Sequence, residues 1–82
     1  MYISILQAQY MGDFKILFNF NDKVSRLVDF KPFLQKSKHL TVKNYLQKES
    51  LFQNFKIEYG DIYWNDFELC FPIDNLHQGK IN

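Results

Sequence analysis

Between Phe14 and Phe30 the chain reads FKILFNFNDKVSRLVDF, two runs of alternating apolar and polar residues joined by a polar turn. How that turn closes decides which side chains share a face, because slipping a strand pair by one residue sends every side chain to the opposite side. A two-residue loop of Asn21 and Asp22 sets Phe20 opposite Lys23 and Phe14 opposite Asp29, mixing polar with apolar on one face. A three-residue loop of Asn21, Asp22 and Lys23 instead sets Phe20 opposite Val24, Ile16 opposite Val28 and Phe14 opposite Phe30, with Lys15 meeting Asp29 on the other face. Matched cross-strand pairs select the second closure. It places Lys23 in the left-handed region normally given to glycine, at a cost of about 1 kcal/mol, and it sets Phe18 opposite Arg26.

The same period marks residues 2–10 (YISILQAQY) as a preceding strand, with Gly12 and Asp13 as the turn into 14–20, and residues 24–30 as the third. The middle of the chain changes period. KPFLQK (31–36) carries Pro32 where a first helical residue belongs, and TVKNYLQ (41–47) and SLFQNF (50–55) predict short helices opened by Thr41 and Ser50 as N-caps. Isolated helices under about 12 residues are marginal, so these must lean on a sheet through Leu40, Tyr45, Leu46, Phe52 and Phe55. The tail returns to strands. A loop of Gly60 and Asp61 sets Tyr59 against Ile62 and Ile57 against Trp64, and a loop of Asn65 and Asp66 sets Trp64 against Phe67 and Ile62 against Leu69. One face then carries Ile57, Tyr59, Ile62, Trp64, Phe67, Leu69 and Phe71, and PIDNL (72–76) closes the chain with a turn of helix begun at Pro72.

The expected fold is therefore α+β and mainly antiparallel sheet: about six short strands, as an N-terminal and a C-terminal three-strand meander with short helices between residues 32 and 54. Residues 1–82 form a single domain, since cores usually belong to chains of about 50–200 residues. A hydrophobic fraction of 46% with 18% aromatic residues argues for a dense core and against disorder.

Charge narrows the function classes. A net charge of +1 gives no global reason to bind nucleic acid or an acidic membrane, yet residues 31–48 carry Lys31, Lys36, Lys38, Lys43 and Lys48 with no carboxylate. Residues 58–74 carry Glu58, Asp61, Asp66, Glu68 and Asp74 with no base. The single Cys70 cannot form an internal disulfide, and neither a secretory signal nor an apolar run of about 20 residues is present, which predicts a soluble cytoplasmic protein.

Candidate chemistry concentrates on the other face of the C-terminal meander, where Lys56, Glu58, Tyr63, Glu68 and Cys70 project. The expected register aligns Glu58, Tyr63 and Glu68 across three strands, with the carboxylates roughly 9.5 Å apart. That is the outer limit of the ~6.5–9.5 Å spacing of an inverting glycosidase, but an open sheet face has no cleft for a sugar. Cys70 has carboxylates for neighbours, which disfavour a thiolate, and His39 and His77 lie far from it in sequence; the same sparse set lacks metal-ligand spacing. With three glycines there is no phosphate loop. No catalytic, metal or cofactor site is expected, and the outward row reads as a solvated face.

Read together, GDFKILFNFNDKVSRLVDFKPFL, LQKESLFQNFKIEYGDIYW and PIDNL resemble a small bacterial family known as domain of unknown function 2442. The matching positions are Phe20, Asp29, Pro32, Leu34, Leu46, Phe52, Trp64, Pro72 and Leu76. Lys23, Phe67 and His77 depart from its pattern, the first two replacing glycines at turns and the third a frequent tyrosine. The resemblance implies an α+β domain without established activity, and relatives that look fused to helix-turn-helix domains or encoded beside toxin–antitoxin-like partners.

The expectation is thus a non-enzymatic interaction or regulatory module that binds a protein partner or a second copy of itself. Its candidate surface comprises Lys36, Lys38, Lys43, Glu58, Tyr63 and Glu68, with no cofactor, no membrane and no small-molecule substrate inferred. The alternative is association with nucleic acid through residues 31–48, whose lysines are interleaved with Phe33 and Tyr45.

Overall fold

The chain begins with three antiparallel strands, β1 (Ile5–Gly12), β2 (Lys15–Phe20) and β3 (Ser25–Asp29), paired in that order in a computed structural model that describes residues 3–64, 69–79 and 81. The β2–β3 hairpin has the register that side-chain matching selects: Ile16 faces Val28, Lys15 faces Asp29 and Phe18 faces Arg26. Backbone bonds from Phe20 N to Val24 O and from Phe30 N to Phe14 O, each 2.9 Å, close its two ends. Lys23 sits at φ 71, in the left-handed region as expected. The Asp22 carboxylate holds this turn by accepting the Val24 amide at 3.1 Å.

The β1–β2 connection lies one residue later than expected. Its central residues are Asp13 (φ 52) and Phe14 (φ 62), and Gly12 pairs with Lys15. Two bulges in β1 cause the offset by leaving Leu6 and Met11 without counterparts on β2. Packing outweighs turn propensity here, because the shift buries Phe14 with its ring 5.3 Å from that of Phe52.

Four short helices are present among the described residues: α1 (Lys31–Lys36), α2 (Leu40–Gln47), α3 (Glu49–Gln53) and, near the end of the chain, α4 (Ile73–Gln78). Pro32 lies in the first turn of α1, as expected. Thr41 and Ser50 are not caps: α2 and α3 start one residue before each of them, at Leu40 and Glu49, with His39 and Lys48 in the cap positions and no side-chain cap bond. Tyr45 and Phe52 are buried and Leu46 and Phe55 half-buried, but Leu40 is 80% exposed, since the apolar face of α2 runs through Val42, Tyr45 and Leu46.

The second sheet contains β4 (Phe55–Glu58), β5 (Asp61–Trp64) and β6 (Leu69–Cys70). Its register corrects the sequence reading at both turns. Ile57 pairs with Ile62 and Glu58 with Asp61, so the β4–β5 loop is Tyr59 (φ 52) and Gly60 (φ 81), both left-handed. Trp64 pairs with Leu69, not with Phe67, and the Asn65–Asp66 turn, Phe67 and Glu68 lie outside the described residues. Each slip moves the partner by two residues, an even number, which preserves the faces: Ile62, Trp64, Leu69 and Phe71 are buried and Ile57 half-buried. Tyr59 is the exception, displaced from the core into the turn.

Both sheets and all four helices contribute to one buried cluster centred on aromatic rings. Trp64 stacks on Phe52 at 5.3 Å, and meets Phe30 at 5.9 Å and Phe71 at 5.8 Å. Its indole N–H donates to the Phe52 carbonyl at 2.7 Å. Tyr10 ties β1 to α3 by donating to Glu49 Oε1 at 2.6 Å, and burial together with that bond pushes its hydroxyl pKa up.

The helix α4 is clamped to the β2–β3 hairpin by His77. Its Nε2 lies 2.8 Å from Asp22 Oδ2, its ring meets Phe20 edge-on at 4.8 Å, and its carbonyl accepts Arg26 Nε at 2.8 Å. Burial works to raise the Asp22 pKa, but bonds from His77 and the Val24 amide outweigh it and hold the carboxyl below its ordinary 3.8. A depressed carboxyl stabilises the fold above its unfolded pKa and loses that contribution as pH falls through the lower folded value. Urea midpoints between about pH 5 and pH 2 should therefore fall more steeply for the wild type than for Asp22→Asn; parallel curves would show that the clamp carries no proton linkage. No helix among the described residues is long and apolar enough to cross a membrane.

Candidate functional site

The row expected across the C-terminal sheet does not form. With the β4–β5 turn at Tyr59–Gly60, Tyr63 faces Lys56 on one side and Cys70 on the other, while Glu58 faces Asp61 beside the turn. Glu68 lies outside the described residues. Tyr63, expected on the solvated face, is only 9% exposed. Cys70 is exposed and borders a cavity of about 350 Å³ with Asp61, Ile62, Phe71, Pro72 and Ile73, which neither histidine lines. Among the described residues no three His, Cys, Asp or Glu side chains gather as metal ligands.

The corrected turn creates a different feature at the tip of the β4–β5 hairpin. Tyr59 is 99% exposed, with Glu58 and Asp61 paired across the strands behind it. Among the exposed large hydrophobic side chains of the described residues, Leu6, Met11, Leu27, Leu40, Leu51 and Tyr59, it alone is aromatic.

The basic segment does bring candidate residues together. α1 ends at Lys36, and the chain leaves it in extended conformation at Ser37 (φ −66, ψ 140), whose amide donates to the Phe33 carbonyl at 3.2 Å. The Ser37 hydroxyl accepts the His39 amide at 3.2 Å and so fixes residues 37–39 as a small turn. Lys36, Ser37, Lys38 and His39 thereby border a cleft of about 500 Å³ that also involves Phe33 and Ile81. Phe33 is held by an edge-on contact with the buried Phe71 at 5.0 Å, and Ile81 is itself buried, so the apolar part is anchored to the core while both lysines and His39 are exposed. Among the described residues no carboxylate lines the cleft. A cavity of this size, apolar with a few convergent polar groups, is what a ligand or an inserted side chain fits.

Of the lysines expected to act together, Lys36 and Lys38 converge and Lys43 does not line the cleft. Lys31 is drawn to Asp13 at 3.2 Å, and Lys48 borders a separate hollow with Asn44, Gln47 and Leu51. Phe33 takes part as expected, whereas Tyr45 is buried in the core. Ser37, His39 and Ile81 were not anticipated. The Ser37–His39 spacing carries a local turn signal, but nothing near Ile81 announces its position.

Two three-stranded antiparallel sheets packed with short helices around an aromatic core define a small α+β domain that carries a basic cleft on its surface. A family model described as "Protein of unknown function (DUF2442)" matches residues 5–82, and the chain belongs to that family. No curated protein and no solved structure matches it.

Proposed function

We propose that the chain is a non-enzymatic cytoplasmic interaction module whose cleft at Lys36, Lys38 and His39 binds a protein segment that sets carboxylates beside an apolar or aromatic side chain. The observation that carries this reading is the cleft's composition: two lysines and a histidine around Phe33 and Ile81, with no carboxylate among the described residues that line it. Charge at the rim steers and orients an acidic partner, while desolvation of the apolar floor supplies affinity. A nucleic-acid role along residues 31–48 has less support, since Tyr45 is not available for stacking and Lys31 is engaged by Asp13.

Panning displayed peptides against the full chain tests the reading. Enriched sequences should combine Asp or Glu with an aromatic or large aliphatic residue and shift the NMR signals of Phe33, Lys36, Lys38, His39 and Ile81. Two charge reversals, Lys36→Glu with Lys38→Glu, should weaken binding about tenfold or more, given up to about 1 kcal/mol for each exposed pair. Peptides that bind the double variant equally well, or retention of oligonucleotides in place of peptides, would overturn it.

A further inference from the structure

We infer that the segment filling the cleft is the β4–β5 hairpin tip of a second copy of this chain, with Tyr59 inserted toward Phe33 and Ile81 and the Glu58 and Asp61 carboxylates set against Lys36, Lys38 and His39. This rests on the reading of the cleft given above and names its occupant.

The tip has the chemistry that the cleft lacks. Glu58 and Asp61 are paired across the strands beside the turn, both are exposed, and no cation of the described residues is within ion-pair distance of either. Between them Tyr59 extends a ring that is 99% exposed. Its backbone is also strained, at φ 52, in a region that costs a residue with a β-carbon about 1–2 kcal/mol. The other strained non-glycine positions are offset within the fold: Phe14 by burial of its ring, Asp13 by Lys31, and Lys23 by the Asp22 bond across its turn and the matched register of the hairpin it closes. The Tyr59–Gly60 turn is held within the chain, by the Gly60 carbonyl accepting the Ile5 amide at 2.9 Å and by the Ile57–Ile62 register it closes, but the Tyr59 ring gains no burial from it and stands free beside two carboxylates.

The cleft supplies what the tip lacks. About 500 Å³ accommodates one phenol ring with its flanking residues, Phe33 offers an aromatic surface, and cations stand where the carboxylates would arrive. A four-residue tip buries well below the roughly 1,200 Å² of a stable interface, so the association is weak, with a dissociation constant on the order of 100 μM. Knob and cleft are different patches, so the contact is either exchanged between two copies about a two-fold axis or propagated head to tail.

Sedimentation velocity on the full chain, from about 10 μM to 1 mM, reads the prediction against that weak affinity. The wild type should show mass rising with concentration, and should dissociate as salt approaches about 1 M, where the screening length falls to about 3 Å. Tyr59→Ala, which removes only an exposed side chain, and the Lys36→Glu, Lys38→Glu double variant should each weaken association about tenfold or more. Mixing the two variants restores one knob and one cleft, so in a head-to-tail arrangement they should form a one-to-one complex and stop there. Wild-type protein that stays monomeric to 1 mM, or either variant associating like the wild type, would overturn the self-docking contact. If acidic aromatic peptides still bind the cleft of a strictly monomeric chain, the cleft reading stands and only its occupant changes.

Discussion

Trp64→Ala is expected to remove about half of the chain's stability and to lower its urea midpoint accordingly. Truncating a buried tryptophan costs about 3–5 kcal/mol through lost transfer energy and the cavity left behind. A chain of 82 residues holds about 4–12 kcal/mol in total. The site cannot collapse easily, because Trp64 is fully buried with Phe30, Phe52, Phe55 and Phe71 ranged around it at ring separations of 5.3–6.0 Å. The substitution also strands the Phe52 carbonyl, which accepts the indole N–H inside the core. Trp64→Phe separates the two losses. It keeps most of the ring area but leaves that carbonyl without its donor, at about 1–3 kcal/mol, so it should unfold cooperatively at lower urea. Far-UV circular dichroism in urea reads both variants. A Trp64→Ala chain with a midpoint close to that of the wild type would mean that the aromatic cluster is not what holds the two sheets together.

The sequence made the β2–β3 register legible because both strands are fully patterned and only one loop length matches Phe14, Ile16 and Phe20 with Phe30, Val28 and Val24. The flanking turns were read less well for one physical reason. Each places a residue with a β-carbon, Phe14 or Tyr59, at positive φ, against the local preference for glycine. At Phe14 the compensation is tertiary, an aromatic contact with Phe52 that no local window reveals. At Tyr59 the compensation is again distant in sequence, the Gly60 carbonyl accepting the Ile5 amide, and the turn offset sends a ring expected in the core into solvent. The face assignments survived because each slip was by two residues, which is why the core list was largely right while the row of Glu58, Tyr63 and Glu68 was not.

The candidate site divides in the same way. Lys36 and Lys38 were legible as charge, since a lysine run without carboxylates is visible in any window. The cleft was not, because it needs the end of α1, the small turn at Ser37 and the distant Ile81 to meet. The opposed charges of residues 31–48 and 58–74 were evident too, but only the corrected turn pairs Glu58 with Asp61 beside the exposed Tyr59.

That tip is also where the sheets are joined, and Gly60→Ala is expected to destabilise the fold by about 2–5 kcal/mol, combining about 1–2 for a left-handed residue with about 1–3 for overpacking. The Gly60 carbonyl accepts the Ile5 amide at 2.9 Å, linking the β4–β5 turn to the start of β1, while Ser4 is tethered to the β2–β3 turn by its carbonyl accepting the Asn21 amide at 3.0 Å. A β-carbon on Gly60 would stand 2.4 Å from Ser4 Cβ and 3.2 Å from Ser4 Cα, closer than the first pair can tolerate. Gly12→Ala is the control. Gly12 has φ 93 and nothing within 4 Å of the added carbon, so it bears the conformational cost alone, about 1–2 kcal/mol. The gain from a stiffer unfolded chain, about 0.4–1 kcal/mol, applies to both and cancels in the comparison. Ser4→Gly removes the atom in the way, so the pair Ser4→Gly with Gly60→Ala should recover about 1 kcal/mol or more relative to the sum of the single changes. Urea unfolding of the four chains in that cycle measures the coupling directly. Additive effects, or a Gly60→Ala chain no less stable than Gly12→Ala, would mean that the close approach of Ser4 does not hold the hairpin in place, and Tyr59 would then lack the rigid base from which it projects.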